Sequence, residues 1–297
     1  MKLIEPNVEI LEQESGINGI YKHIEKCARI CYKSEDKITE DSAKNFVDML
    51  IKNGHGAMLE HGTVYMEVPV KHWREDEHEW IYMFPDECPW VSLDCDGDWM
   101  YITTNFRHIL NKDIGESLMK QYLCEPTENH EKRYTLKFIT SIGITRELIR
   151  HRHFSFANES TRYCNYSKDK FSGEITFVKP TWVNIPSELP ERTMLEDGPY
   201  GWCNSNYIHI YCKDIKSKWF MKACLEAEYS YLHVINEQNA TPQEAREILP
   251  LCTKSEIIMT GFESDWKDFF KLRCDKAAHP DMQIIANKAK ELLKFYD

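Results

Sequence analysis

No stretch of the chain approaches the roughly 20 consecutive apolar residues that a membrane-spanning helix needs, so no membrane partner is expected. The N-terminus, MKLIEPNVEILEQESG, turns acidic within five residues. No signal peptide is expected there, and the expected location is the cytosol. The 11 cysteines include no CxxC pair. Scattered through a large chain without an export signal, they read as reduced thiols rather than as a disulfide framework. Neither GxGxxG nor a P-loop occurs, which excludes two common phosphate-binding turns. A basic excess is lacking as well: 37 Lys and Arg face 48 Asp and Glu, a formal net charge of −11, unfavourable for tracking a nucleic-acid backbone. Internal repeats and low-complexity tracts are absent.

What is present suits an ordinary globular protein. With 297 residues, 42% apolar and 12% aromatic, the chain can hide roughly 75% of its unfolded surface without staples. Ile17, Ile20, Ile24, Cys27 and Cys31 recur at helical spacing, predicting a helix over 17–31. His23, Cys27 and Cys31 (i, i+4, i+8) approach a metal pattern, but thiols are commonly buried as small hydrophobes, and no metal is expected. A second helix is predicted over 41–52, with Phe46, Met49 and Leu50 inward and Asn53-Gly54 as its stop. Val64, Met66 and Val68 alternate along a strand that ends near Pro69.

Residues 71–132 are charge-rich and carry Trp73, Trp80, Trp90 and Trp99, an aromatic load too high for a disordered linker. They read as an insertion bearing short elements within a single domain, 1–297. Strands are predicted at 134–139 and 174–178, and a helix over ITRELIRHR (144–152), with Ile144 and Leu148 on one face. A long helix spans about 206–237. Thr241-Pro242-Gln243-Glu244 starts a helix with a capping box and proline at the first position, running to Pro250. Ser264 is expected to cap a helix through Arg273, and Pro280 to open the last one. The class is α+β, a sheet packed with helices, with a helical C-terminal half.

The charge is unevenly spread. From Arg146 to Lys170 there are six Lys or Arg residues against three acids. A basic island in an acidic protein suits a pocket for a small anion, and it suits a solvated helix face equally well. Within it, Arg150-His151-Arg152 stacks potentially cationic groups at a helix end, which is costly unless something anionic sits among them. Ser160 and Arg162 add a hydroxyl and a second guanidinium fork that could close on one phosphate. Arg-His-Arg alone is too short to decide.

The longer pattern, RHR then seven residues, Ser and Arg-Tyr, resembles the flavin-dependent thymidylate synthases. CARICYKS (27–34), NGHGAMLEH (53–61), EAREILPL (244–251) and FFKLRCD (269–275) resemble other segments of that family, in the same order. The resemblance covers roughly 15–68 and 133–295; the insertion resembles only longer members.

The resemblance implies a thymidylate synthase fold of that family and reductive methylation of dUMP to dTMP. It further implies FAD as electron carrier, NADPH as reductant, methylenetetrahydrofolate as carbon donor, and a homotetramer with intersubunit sites. It implies FAD contacts at His55, Arg150, His151, Arg152 and Asn158. For dUMP it implies Glu147, Arg150, Asn158, Glu159, Ser160, Thr161, Arg162, Arg246 and Arg273, with Arg273 catalytic. A guanidinium held against N3 and O4 of uracil would favour the ionised ring and make carbon 5 nucleophilic.

Ala57, Cys31, Phe262 and Asp268 depart from the polar residues of some relatives. The Pro-Cys-His context of classical thymidylate synthases is missing around Cys88 and Cys252, which disfavours a thiolate nucleophile. The competing readings are a flavoprotein acting on another pyrimidine nucleotide and a nucleic-acid-binding module using residues 146–170.

Overall fold

The computed structural model describes residues 1–75, 88–110, 115–185 and 214–295. Two short strands, β1 (Lys2–Ile4) and β2 (Asn7–Ile10), precede helix α1 (Gly16–Arg29). The apolar spacing that predicts α1 buries Ile20, Ile24, Cys27 and Ala28. Helix α2 (Ser42–Lys52) instead turns Ala43, Val47 and Leu50 inward, leaving Phe46 half-buried and Met49 exposed. Leu50 is inward as expected, but Val47 rather than Met49 shares its face, and Phe46 lies at the rim with the Arg29 guanidinium 4.4 Å from its ring. After the one-turn α3 (Gly56–Leu59), strand β3 (Thr63–Pro69) buries Val64, Met66 and Val68 as its alternation requires.

Helix α4 (Val70–Glu75), strands β4 (Ser92–Asp96) and β5 (Trp99–Asn105), and helices α5 (Phe106–Leu110) and α6 (Gly115–Tyr122) follow. β5 lies between β3 and β4 in a three-stranded antiparallel sheet, with Met66 opposite Ile102. Met100, Ile102, Phe106, Ile109 and Met119 share one core with α1, α2 and β3. The short elements within 71–132 are thus packed into the molecule.

The larger sheet carries the candidate residues. β6 (Arg133–Ser141) leads into α7 (Ile142–Leu148), β7 (Ser155–Asn158), β8 (Thr176–Val178), α8 (Ile215–Asn236) and α9 (Pro242–Ala245). β9 (Lys254–Phe262), α10 (Glu263–Arg273) and α11 (Pro280–Leu292) complete the chain. The strand order is β2-β6-β9-β7, antiparallel throughout; β1 and β8 pair separately in parallel. Phe138, Met259, Trp266, Phe269 and Met282 are fully buried between this sheet and helices α10 and α11.

Three element boundaries differ from expectation. The helix ahead of Arg150 stops at Leu148, because the amides of Arg150 and His151 bond to carbonyls three residues back and the chain turns to bring β7 against β9. The Thr241–Glu244 capping box forms, but regular α-helix ends at Ala245. A 3₁₀ turn carries Arg246–Ile248, and Leu249 is extended, as a residue before proline prefers. Ser264 is not a cap: it is the second residue of α10, its N–H donating to Glu131, while Asp265 accepts the Phe262 N–H. The part of the long helix expected at 206–213 lies outside the described residues.

Candidate active site

Arg273 ends α10, and three aromatics hold that helix in place: Trp266 and Phe269 at 0% exposure and Phe270 at 4%. Trp266 Nε1 also donates to the Tyr134 carbonyl at 3.1 Å, tying α10 to β6. The guanidinium is consequently held rather than loose. Its Nε donates to His151 Nε2 at 2.9 Å, Nη1 to Glu147 Oε2 at 3.2 Å, and Nη2 to the Glu147 carbonyl at 3.3 Å. Residues far apart in sequence thereby meet in one cluster.

The hydrogen bonds decide the state of His151. Arginine Nε–H can only donate, so His151 Nε2 must accept, and the ring is neutral with its proton on Nδ1. Burial first, and the Arg273 charge second, pull its pKa down to about 4. Phe269 stands edge-on to the His151 ring at 5.0 Å and Phe154 at 6.2 Å. Phe154 in turn needs Gly261, where an added Cβ would come within 2.6 Å of its ring.

The Arg-His-Arg run is therefore not three adjacent cations. His151 turns inward and neutral, while Arg150 and Arg152 are exposed. Neither is paired with an acid among the described residues. The next residue, His153, lies 3.3 Å from Asp265.

Along the edge strand β7 the remaining candidates separate into two sets. Asn158 is exposed, its Oδ1 accepting from Ser255 at 3.1 Å. Glu159 is buried at 4% exposure. Its Oε2 accepts from Lys254 at 2.9 Å and from the Glu256 N–H at 3.1 Å. Lys33 bridges Glu256 at 2.5 Å and stands 3.9 Å from Glu159. Burial opposes ionisation of Glu256, yet Lys254 and Lys33 outweigh it and hold the carboxyl at about 2. In this structure Glu159 belongs to a buried ionic network, and its second oxygen, Oε1, is buried without a hydrogen-bond partner among the described residues.

Beyond it the chain turns outward. Ser160 N–H donates to the Cys31 carbonyl, and the amides of Tyr163 and Cys164 return to the Ser160 carbonyl. Ser160 and Thr161 are half-buried. Arg162 is exposed and donates to Gln243 at 3.4 Å, which brings this turn against the capped helix next to Arg246. Among the described residues, Arg246 reaches Glu247, at 3.2 Å. His55 is exposed at the start of α3, which packs on β7.

Lys33, Lys254 and Glu256, which position Glu159, were not singled out by sequence reasoning. Lys254 and Glu256 stand two apart on β9 and would have been found as a same-face pair had that strand been assigned. Of the departures, Phe262 is buried with the Arg133 guanidinium 5.4 Å above its ring, Cys31 contacts Met58, and Ala57 and Asp268 are exposed. Among the described residues, no group of three or more His, Cys, Asp or Glu side chains could hold a metal. His23 bonds instead to Thr135. A cavity of about 470 Å³ opens elsewhere, lined by His23, Thr63, Tyr65, Arg133 and Thr135 among others. None of the residues named above for nucleotide or flavin lines it.

The family model described as thymidylate synthase complementing protein matches residues 101–295, about two thirds of the chain. The chain belongs to this family. Among curated members of known name, the flavin-dependent thymidylate synthase of Corynebacterium glutamicum is 28% identical over 160 residues, 49% of this chain and 51% of that protein. That of Synechocystis sp. is 27% identical over 163 residues, covering 53% and 64%. The chain spans about half the length of the first of these relatives.

Two solved structures are similar at a low level. Thymidylate synthase X from Helicobacter pylori, solved with FAD and dUMP, aligns at a TM-score of 0.37 and 17% identity, over 54% of this chain and 66% of that one. A UMP/dUMP methylase from Streptomyces cacaoi bound with 5-Br UMP aligns at 0.43 and 15%, over 99% and 92%.

Proposed function

We propose that this chain is a flavin-dependent thymidylate synthase, making dTMP from dUMP. The observation that carries the reading is the Arg273 guanidinium, held by Glu147 and by a neutral His151 beside the exposed Arg150 and Arg152. Family membership supports it.

In this reading Arg273 is the catalytic residue. Placed against N3 and O4 of uracil, its donors stabilise negative charge on the ring and raise the nucleophilicity of carbon 5. Glu147 and His151 keep the planar fork oriented, with Glu147 also within reach of the nucleotide. Ser160, Thr161, Arg162 and Arg246 bind the dUMP phosphate and sugar; the Arg162–Gln243 contact already brings loop and helix together. Asn158, on the edge strand, lies between the dUMP and flavin groups. Glu159 supports the loop from within.

Arg150, Arg152, His151 and His55 would hold FAD. Two exposed guanidinium groups without acidic partners among the described residues fit a diphosphate, and a neutral imidazole beside aromatic rings fits a flat heterocycle. When bound, FAD supplies the electrons that leave the transferred carbon as a methyl group. Methylenetetrahydrofolate as carbon donor and NADPH as reductant complete the reaction. These groups lie on an open surface along β7, so we assign the complete site to a homotetramer in which a second copy closes it. We place the enzyme in the cytosol.

The test is direct. The purified chain should take up FAD, turn yellow, and form dTMP from dUMP with methylenetetrahydrofolate and NADPH. A colourless protein that takes up no FAD under these conditions would overturn the reading.

A further inference from the structure

Away from the candidate site, two thiols meet. Cys224 lies on α8 and Cys252 in the turn before β9, with their sulfurs 3.7 Å apart. Cys224 is buried at 1% exposure, while Cys252 is half-buried, so an oxidant reaches Cys252 first. The hydrogen bond between the two sulfurs lowers the pKa of the Cys252 thiol, against the effect of burial. The thiolate, which is the reactive form, therefore develops on the more accessible sulfur. A disulfide of about 2.03–2.05 Å would need the sulfurs to close by under about 2 Å.

The location gives such a bond a consequence. Gly143 N–H donates to the Leu251 carbonyl at 3.0 Å, Val178 N–H to the Cys252 carbonyl at 2.8 Å, and Ile142 N–H to the Thr253 carbonyl at 2.9 Å. Residues 251–253 thus fasten β8 and the start of α7 to the base of β9. Linking Cys252 to Cys224 would tie α8 to that junction and close the stretch 225–251 into a covalent loop.

We propose that Cys224 and Cys252 form a redox-modification site at which a peroxide generates an intramolecular disulfide that braces this junction. The Cys252 thiolate attacks one peroxide oxygen, the O–O bond breaks, and the departing hydroxide takes a proton to become water. Cys252 is then a sulfenic acid. The Cys224 sulfur displaces its hydroxyl: the S–S bond forms, the S–O bond breaks, and the Cys224 proton leaves with the hydroxyl as a second water. Two thiols and one peroxide give one disulfide and two waters.

The experiment treats the full reduced chain with hydrogen peroxide, alkylates remaining thiols, and maps the digest by mass spectrometry without reductant. Expected is a peptide pair joined through Cys224 and Cys252, released by dithiothreitol. Closing the loop restricts the unfolded chain, so the oxidised protein should melt several degrees higher. In Cys224→Ser the melting temperature should not respond to peroxide, and a dimedone adduct should form on Cys252. Cys252→Ser, with its own unmoved melting temperature, serves if the first variant does not fold. Three results would overturn the proposal: both cysteines still alkylated after peroxide, Cys252 joined to Cys203 or Cys212 instead, or a linked protein whose melting temperature is unchanged.

Discussion

Arginine keeps its charge across the whole working pH range, so what varies at Arg273 is direction rather than ionisation. Its donors already satisfy Glu147 and His151, and loss of the planar fork affects both contacts at once. Arg273→Lys retains the charge without the fork and should be impaired. Arg273→Ala should be worse, with a rate loss of roughly 10²–10³, the usual effect of deleting one such donor. Single-turnover dTMP formation from pre-reduced enzyme checks this, because it separates methyl transfer from flavin reduction. Wild-type rates in Arg273→Ala at saturating dUMP would make the residue structural. Arg162→Ala should weaken dUMP binding by roughly 1.5–3 kcal/mol, the worth of a charge-assisted hydrogen bond; unchanged affinity would move the phosphate elsewhere. The candidate residue types were legible from Arg-His-Arg, Ser160 and Arg162. The neutrality of His151 was not, since it depends on a donor 122 positions away in the chain.

At the level of elements, sequence periodicity worked where one face is wet and failed where both are covered. β3 alternates and was read as a strand. β9 is buried at nearly every position, so KSEIIMTGF shows no alternation, as expected of a central strand packed on both sides. β7 is only four residues long, too short for a period to register. Local chemistry was more dependable: the Thr241–Glu244 box and Pro280 start helices as predicted, because capping needs only neighbouring residues.

The unassigned β9 also hid the network around Glu159, and that network yields a test. Removing one member of a buried ion pair strands the other charge, at a cost of roughly 3–5 kcal/mol. Glu159→Gln should therefore lower the urea midpoint of the protein without nucleotide present. A variant of normal stability that loses only dUMP affinity would show that Glu159 serves the ligand and not the fold.

Across the whole molecule, the helical core of α1, α2 and β3 is joined to the larger sheet by a buried polar chain. His23 Nε2 lies 3.0 Å from Thr135 Oγ1, Thr135 Oγ1 2.8 Å from Thr260 Oγ1, and Thr260 Oγ1 2.8 Å from His61 Nδ1. Desolvation holds both rings neutral, with His23 pulled to about 4 and His61 to about 3 from an ordinary 6.5; His151 behaves alike at about 4. Below pH 6.5 the unfolded chain binds protons at these three positions that the folded one refuses. Stability then falls with falling pH, from about 6.5 until the rings protonate in the folded state near 4 to 3. The carboxyl of Glu256, depressed from 4.5 to about 2, adds its own loss below pH 4.5, so the two effects run in series. Urea midpoints measured at pH 7, 5.5 and 4.5 should decline before any carboxylate effect begins. In a His23→Asn, His61→Asn double variant the pH 7 midpoint should be lower, because the chain is broken, yet its decline towards pH 4.5 should be shallower. A double variant with the wild-type slope would mean that these buried imidazoles do not govern acid stability.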